Sequence, residues 1–598
     1  MTATHNQPGA ESAPPQAQTY DEAEEIRTFP SMQQLETIRA TKCYTIAPVA
    51  CEFPAHTSDP LDVLSILKRI SHHVYVLESA QQGPQGTQQG AQNAQAAQQA
   101  AQTAQGAGTT PSTQTPQRER GRYTFLGFDP KRNIYCEQGK LTIDDVHLET
   151  QQPTDIIRSI LREYKSPHID RLPPFTGGLV GYFSFEYLGY KEPKLANNQF
   201  NEGAFRDLDL MLFDKVIAFD NLTHNIVLII NIKLNNLEEN YQHALMELDS
   251  LKRLIMQGKK QADEPGSITG PVQALFSKQQ FCSMVASAKQ HIVAGDIFQI
   301  VLSNQLSAPF SGSLLNTYRR LRAINPSPYM FYFSGDDMEI AGASPETLVD
   351  LKDGVLHTYP LAGTRKRGAT PQEDMALEQE LLHDEKELAE HNMLVDLGRN
   401  DLGRISAFGS VVVERLHSIE RFSHVMHIGS AVRSRIDTQH DALDAVEALM
   451  PAGTLSGAPK IKACELIGAL EGTKRGIYGG AIGYVDFTGN MDMCIGIRLL
   501  YKKAGRVVVQ TGAGIVADSI AENEYQECLN KARSSLVALE ERPDDAAQVG
   551  ASSTMAQVEA SGVGDTADVG NATDVGNVAA PSPAAPTAAA SAQMKAHE

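Results

Sequence analysis

The sequence predicts a mixed α and β fold with substantial antiparallel strand pairing. Three observations carry this. Short apolar runs meet across brief turns, as in residues 134–143 around Gln138-Gly139 and 216–232 around Asp220-Asn221. Segments of helical period alternate with clusters of strands and hairpins. A content of 41% hydrophobic and 21% charged residues supplies a large core.

Taken in order, residues 32–40 read as a short helix and 45–49 as a strand. Residues 60–70, with Leu61, Leu64, Ile66 and Leu67, read as a helix, and 74–79 as a strand ending in Glu78-Ser79. Residues 81–117 are almost entirely Gln, Ala, Gly and Thr, and the strand pattern resumes at 123–128. Such an insertion is a lengthened surface loop, tolerated because closure entropy grows slowly with length. Further on, a helix over 280–294 stops at Gly295, a strand spans 297–302, and a helix over 312–324 stops before Asn325-Pro-Ser-Pro328. A strand covers 329–333; after 339–343, Ser344 can cap a helix and Pro345 can take its first position. The strand 355–360 runs into Leu361–Gly368, with a turn expected at Gly363. Residues 383–404 read as an amphipathic helix followed by a polar loop, with Leu381, Leu388 and Val395 on one buried stripe. Glu387, Glu390 and His391 share another face. A strand at 411–416, a helix at 441–450, a loop at 453–459 and a helix to Leu470 follow. Strands at 479–486, 493–500 and 506–511 come next, the last leaving through a turn at Gly512-Ala-Gly514. The final helix, 519–541, opens with a capping box, Ser519-x-x-Glu522, and carries Tyr525, Leu529, Ala532 and Leu536 as its apolar stripe.

Residues 1–30, 81–117 and 542–598 are too polar or too poor in large apolar side chains to offset their ordering entropy, and disorder is expected there. What remains, on the order of 470 residues, fits one large domain or two intimately packed ones. A division into 31–265 and 271–541 is expected. A net charge of −20 lacks the footprint of a nucleic-acid binder. Seven scattered cysteines without a CxxC pair point to reduced thiols in a cytoplasm. No apolar run reaches the roughly 18–20 residues of a membrane span. Tryptophan is absent altogether.

Several residues could carry chemistry. Glu390 on one helix and Glu527 on the last could each present a carboxylate to a Mg²⁺ ion, which takes one or two protein carboxylates and keeps places for water and ligand. Spacing equally allows Glu527 and Lys531 to be an ordinary surface pair. Arg498 lies in an otherwise apolar strand, where a guanidinium needs an anion, either a structural carboxylate or a ligand's. The glycines around Thr364 and at Gly512 and Gly514 read as tight turns or as places where backbone N–H groups meet an anion. The stretch from Gly453 to Lys460 lacks the GK[ST] ending of a phosphate loop.

The motifs PLAGTRKRG, DEKELAEHNMLVDLGRNDLGR, MPAGTLSGAPK, IYGGAIGYVDFTG and QTGAGIVADS…ENEYQE, in this order, resemble those of the chorismate-utilising enzymes. The resemblance is dense from Ser277 to Leu536 and looser before it. It is greatest to the anthranilate synthase large subunits. Ala362 stands where aminodeoxychorismate synthases carry a nucleophilic lysine, and Gln299 where isochorismate and salicylate synthases carry a water-activating lysine. The resemblance implies an α+β fold with large antiparallel sheets and helices packed outside. It implies Mg²⁺ on Glu390 and Glu527, and chorismate lined by Gly363, Thr364, Tyr478, Arg498, Gly512, Ala513 and Gly514. Glu346 is the expected general acid, with Thr364 and His427 as further catalytic residues. Ser79, Pro328, Tyr329 and Met330 are the expected site for L-tryptophan as inhibitor. A separate glutamine amidotransferase subunit is the expected ammonia source, in a hetero-oligomer. An aminodeoxychorismate synthase, an enzyme that stops at the aminated intermediate, a non-catalytic tryptophan sensor and a phosphate-binding NTPase are the alternatives.

Overall fold

The computed structural model describes residues 27–55, 58–79, 121–195, 205–261, 264–422 and 425–540. Almost all of the segments expected to be disordered lie outside these. The exception is at the start, where Thr28–Phe29 pairs with Ile46–Pro54.

Two antiparallel sheets, of fourteen and twelve strands among the described residues, stack with helices on both outer faces. The side-chain pattern explains the layering. In Val74–Glu78, Val74 and Val76 face outer helices, while Tyr75 and Leu77 face the space between the sheets. In Gly178–Phe183 of the other sheet, Leu179 and Phe183 face outward and Val180 and Tyr182 inward. Strands covered on both faces read as continuous apolar runs, which is why many were visible in sequence. Helices Leu237–Gln257, Leu315–Ile324 and Ala521–Leu539 cover the first sheet, and Pro153–Arg162, Glu385–Gly403 and Ala442–Leu449 the second. Among the described residues no helix is long and apolar enough to cross a membrane.

Both sheets draw strands from either side of residue 270. Val74–Glu78 pairs with Tyr329–Ser334, and Gly178–Phe183 with Ala481–Asp486. The first pairing places Glu78 opposite Met330, so that Ser79 and Pro328-Tyr329 come together at one end of it.

The structure corrects several sequence expectations. Ser344-Pro345-Glu346 starts no helix; it is the corner where the chain passes from Met338–Ser344 in the first sheet to Thr347–Lys352 in the second. Ser344 Oγ donates to the Ile495 carbonyl at 2.8 Å and so does not cap a helix. The expected strand 493–500 is two strands, Met491–Ile495 and Leu499–Lys503, one in each sheet. Gly363 and Gly512–Gly514 lie within strands, Leu361–Lys366 and Arg506–Ile515. The polar end of 383–404 remains helical to Gly403 because Asp401 is buried against Lys460, at 2.7 Å. Leu381 belongs to a separate helix, Pro371–Leu382, so the proposed single stripe is divided. The last helix begins at Ala521 without a side-chain cap; Ser519 Oγ instead accepts from Val516 N–H at 3.1 Å.

The packing between the sheets gives a test. Phe331 is 1% exposed, and its ring occupies the space that a side chain at Gly342 would need. Phe331→Ala is expected to cost about 3–5 kcal/mol in urea unfolding; a loss below about 1 kcal/mol would contradict a packed inter-sheet layer.

Candidate active site

Two corners between the sheets lie side by side. Ile495 N–H donates to the Glu346 carbonyl, and Ala343 N–H to the Arg498 carbonyl, both at 3.0 Å. Arg498 sits at φ +52°, a left-handed conformation that a long side chain adopts only where its surroundings impose it. Glu346 faces Leu394 and Leu397 of helix Glu385–Gly403, and Arg498 lies within the field of Glu527 on helix Ala521–Leu539.

Glu346 lines a cleft with Thr358, Pro360, Leu394, Gly453 and Thr454. Thr454 Oγ1 donates to its Oε1 at 3.0 Å. Burial pushes the carboxyl up to about 7, against lesser opposing effects from Thr454 and the charge of Lys531. Near neutral pH the group therefore holds a proton that it can deliver, the condition for a general acid.

Arg498 is half-buried and makes no ion pair or side-chain hydrogen bond among the described residues. Burial pushes its guanidinium below the usual range, with Tyr478 and the charge of Glu527 acting the other way. No structural carboxylate sits on it among the described residues.

Glu390 and Glu527 come from helices far apart in sequence, yet each lies within the other's field. Burial raises the Glu390 carboxyl, and the negative charges of Glu387 and Glu527 raise it further. Gln299 Nε2 donates to Glu390 Oε1 at 3.1 Å, while Gln299 Oε1 is buried without a partner among the described residues. Glu527 accepts from Lys531 Nζ at 2.6 Å, and the same ammonium donates to Gly512 O at 2.9 Å. Among the described residues no group of three or more metal-type ligands occurs. Two mutually repelling carboxylates, without a histidine or cysteine to complete a ligand group among the described residues, are donors of the kind that suits Mg²⁺ better than zinc.

Thr364 pairs with His427 across neighbouring strands. His427 Nδ1 lies 2.9 Å from Gly363 O and 3.1 Å from Thr364 Oγ1. Donation from Nδ1 to that carbonyl leaves Nε2 as the acceptor nitrogen. Burial, opposed by this hydrogen bond, lowers the imidazole, as do the charges of Arg498 and Lys531. Gly363, at φ +66°, is the bulge that permits this register, and a Cβ there would crowd Leu381 and Glu387. A Cβ on Gly512 would lie 2.6 Å from the Tyr478 hydroxyl, and one on Gly514 2.9 Å from Gln299 Nε2. Ala513, between them, is fully buried.

Residues 81–537 match the model of the family described as chorismate binding enzyme. The chain belongs to the chorismate-binding enzymes. Anthranilate synthase component 1 of Acetivibrio thermocellus is 39% identical over 527 residues, covering 86% of this chain and 99% of that protein. That of Streptomyces coelicolor is 44% identical over 406 residues, covering 65% and 77%. The solved anthranilate synthase component I from Streptococcus pneumoniae aligns with a TM-score of 0.63 at 37% identity, over 73% of this chain and 96% of that one. MenF, the menaquinone-specific isochorismate synthase of Escherichia coli, has the same fold at 17% identity, with a TM-score of 0.60 over 85% and 99%. Within the chorismate-binding enzymes the chain falls among the anthranilate synthase component I proteins, and it acts on chorismate.

Sequence spacing did not single out two parts of this candidate site. Lys531 read as a surface partner of Glu527, although its place one turn further on the same face was a signal. Thr454 had none, because its contact with Glu346 spans more than a hundred residues. Conversely, Lys460 is fully engaged by Asp401 and the Leu449 carbonyl at 2.9 Å, so the nearby glycines have no phosphate-binding lysine.

The raised Glu346 carboxyl gives a stability test with a definite sign. Between its ordinary value of 4.5 and about 7, the native state holds a proton that the unfolded chain has lost. Native stability therefore falls as pH rises through that interval and levels off above it. Glu346→Gln should remove this slope and gain about 1–3 kcal/mol at pH 8 relative to pH 5. Urea unfolding of both proteins at the two pH values measures it; identical pH dependence would refute the protonated buried acid.

Proposed function

We propose that the chain is the ammonia-using large subunit of an anthranilate synthase, a lyase that converts chorismate and ammonia into anthranilate, pyruvate and water. This is the first committed step toward tryptophan. The observation that carries the reading is Arg498, a guanidinium with no structural carboxylate among the described residues, within the field of Glu527, which in turn acts on Glu390. Chorismate is a small dianion, and one carboxylate suits each end of this arrangement.

Arg498 would take the carboxylate of the enolpyruvyl arm, bidentately. Glu390 and Glu527 would hold Mg²⁺, which would bind the ring carboxylate and draw charge out of the ring. Tyr478 and the strand Gly512-Ala513-Gly514 would form a close-fitting wall. Glu346 would protonate the departing C4 hydroxyl as ammonia bonds to C2. His427 Nε2, free of the hydrogen bond that holds Nδ1, would serve the second step, loss of pyruvate and of the C2 proton. Thr364 would steady that imidazole. Gln299, an amide, cannot take a proton from water, and Ala362 offers no amine, so the nucleophile has to arrive as a free base. Ammonia meets that need, and a glutamine amidotransferase subunit would be its source.

Ser79 Oγ is buried without a hydrogen-bond partner among the described residues, at the strand end that also carries Pro328, Tyr329 and Met330. This supports a place for L-tryptophan as feedback inhibitor.

Purified chain with chorismate, Mg²⁺ and ammonium should produce anthranilate, identified by mass. Glu390→Ala and Glu527→Gln should each lower the rate at least about a thousandfold while retaining the wild-type circular dichroism spectrum; turnover that persists in EDTA would refute the metal assignment. Ser79→Phe should raise the tryptophan concentration needed for half-inhibition at least tenfold without changing the uninhibited rate. An unaltered inhibition curve would remove the effector site from that strand end.

A further inference from the structure

Strand Tyr329–Ser334 lies in the first sheet, and its side chains alternate between two layers. Met330 and Tyr332 face the outer helices, while Tyr329, Phe331 and Phe333 face the space between the sheets. Of these three only Tyr329 carries a hydroxyl, and it reaches across that space. Its phenol donates to Asp492 Oδ1 at 2.8 Å and lies 2.9 Å from Thr347 Oγ1. The single phenolic proton goes to the carboxylate, so Thr347 is the donor in the second bond. Both partners belong to the second sheet, on the neighbouring strands Thr347–Lys352 and Met491–Ile495.

These contacts enclose the corner that carries Glu346. Tyr329 stands opposite Ser344 in the first sheet and bonds Thr347 in the second. One residue thus grips the chain on both sides of Pro345-Glu346. Strand pairing fixes the Thr347 side less firmly, because the register with Met491–Ile495 slips between Thr347 and Val349. The Tyr329 hydroxyl supplies a brace at the place where the ladder is irregular. Such a brace matters for an acid, since a misplacement of about 1 Å costs on the order of a hundredfold in rate.

The same tyrosine stands at the strand end that carries Ser79. Glu78 lies opposite Met330, which puts Ser79 beside Tyr329. Ser79 Oγ is buried without a hydrogen-bond partner among the described residues. A ligand that supplies that partner sits against Tyr329. In a close-packed layer its bulk displaces the ring, because there is little free volume to take it up. The hydroxyl then moves off Thr347, and the Glu346 corner loses its brace.

We propose that the hydrogen bond between Tyr329 and Thr347 positions Glu346, and that a ligand at the Ser79 strand end inhibits by breaking it. The proposal rests on the anthranilate synthase reading above and on its effector site. Tyr329 is a positioning residue, acting through the corner between the sheets. In the full chain with ammonium, Thr347→Val should lower kcat at least tenfold and change the KM for chorismate less than threefold. Tyr329→Phe should do the same. The double variant should lose no more than either alone, since all three proteins lack one shared bond. Thr347→Ser, which keeps the hydroxyl, should hold kcat within twofold of wild type. Equilibrium dialysis should give Thr347→Val a Kd for tryptophan within threefold of wild type. With chorismate at its KM, saturating tryptophan should remove most of the wild-type rate and less than half of the variant's. A Thr347→Val protein with wild-type kcat, or one that binds tryptophan and is inhibited as fully as wild type, overturns the proposal. Losses that add in the double variant assign the two residues separate structural roles and overturn it as well. Tyr329→Phe, which keeps the ring, carries both measurements if Thr347→Val does not fold. If wild type makes anthranilate but binds no tryptophan, the coupling falls with the effector site and the enzyme reading stands. If wild type makes no anthranilate from ammonium, the enzyme reading itself fails, and the proposal with it.

Discussion

The site depends on the pairing of two backbone corners. At Ala343–Glu346 and again at Ile495–Arg498, the chain leaves one sheet for the other, and the corners are joined by hydrogen bonds at 3.0 Å. A strand that changes sheets must bend sharply. The bend at Arg498 is held in a conformation that a non-glycine residue does not adopt unaided. Its effect is to turn the Arg498 guanidinium out of the packed sheets beside the corner that carries Glu346. Neither side chain could be presented this way from the middle of a regular strand, where alternate residues point into covered layers.

Around those corners, charge is arranged in opposition. Burial lowers the His427 imidazole, and the charges of Arg498 and Lys531 add to that effect. Glu390 and Glu527 press on each other, and Lys531 partly relieves Glu527. An arrangement with an unpartnered cation at one end and crowded carboxylates at the other is costly for the isolated protein. It becomes favourable when an anion meets the first and a cation the second. Charges left unsatisfied in this way distinguish the arrangement from a structural network. The buried Glu471–Arg475 pair shows the contrast: at 2.6 Å, and with Arg475 also held by the Leu455 and Val301 carbonyls, it is fully satisfied.

Much of the fold was legible because many strands are covered on both faces. Tyr123–Phe128, Asn225–Lys233 and Arg506–Ile515 are apolar enough to be seen without partners. Helix Met32–Ala40 has the bounds expected from sequence, and its Ser31 capping box is local chemistry. The errors fall where a distant partner overrides a local signal. Ser344 looked like a helix cap, but the Ile495 carbonyl takes its hydroxyl. Asp401 looked like loop polarity, but Lys460 neutralises it inside the core. The strand Val425–Arg435 was missed because its polar face lines the site and breaks the apolar pattern.

The sequence by itself determined the layers, the helix faces bearing Glu390 and Glu527, and the family motifs, because each rests on periodicity or on residues close along the chain. Tertiary structure alone decided that the corners carrying Glu346 and Arg498 lie side by side and that Lys531 reaches Gly512. Those facts depend on which strands cross between the sheets. Local energetics cannot encode such a choice, because it is settled only when the whole inter-sheet core has closed.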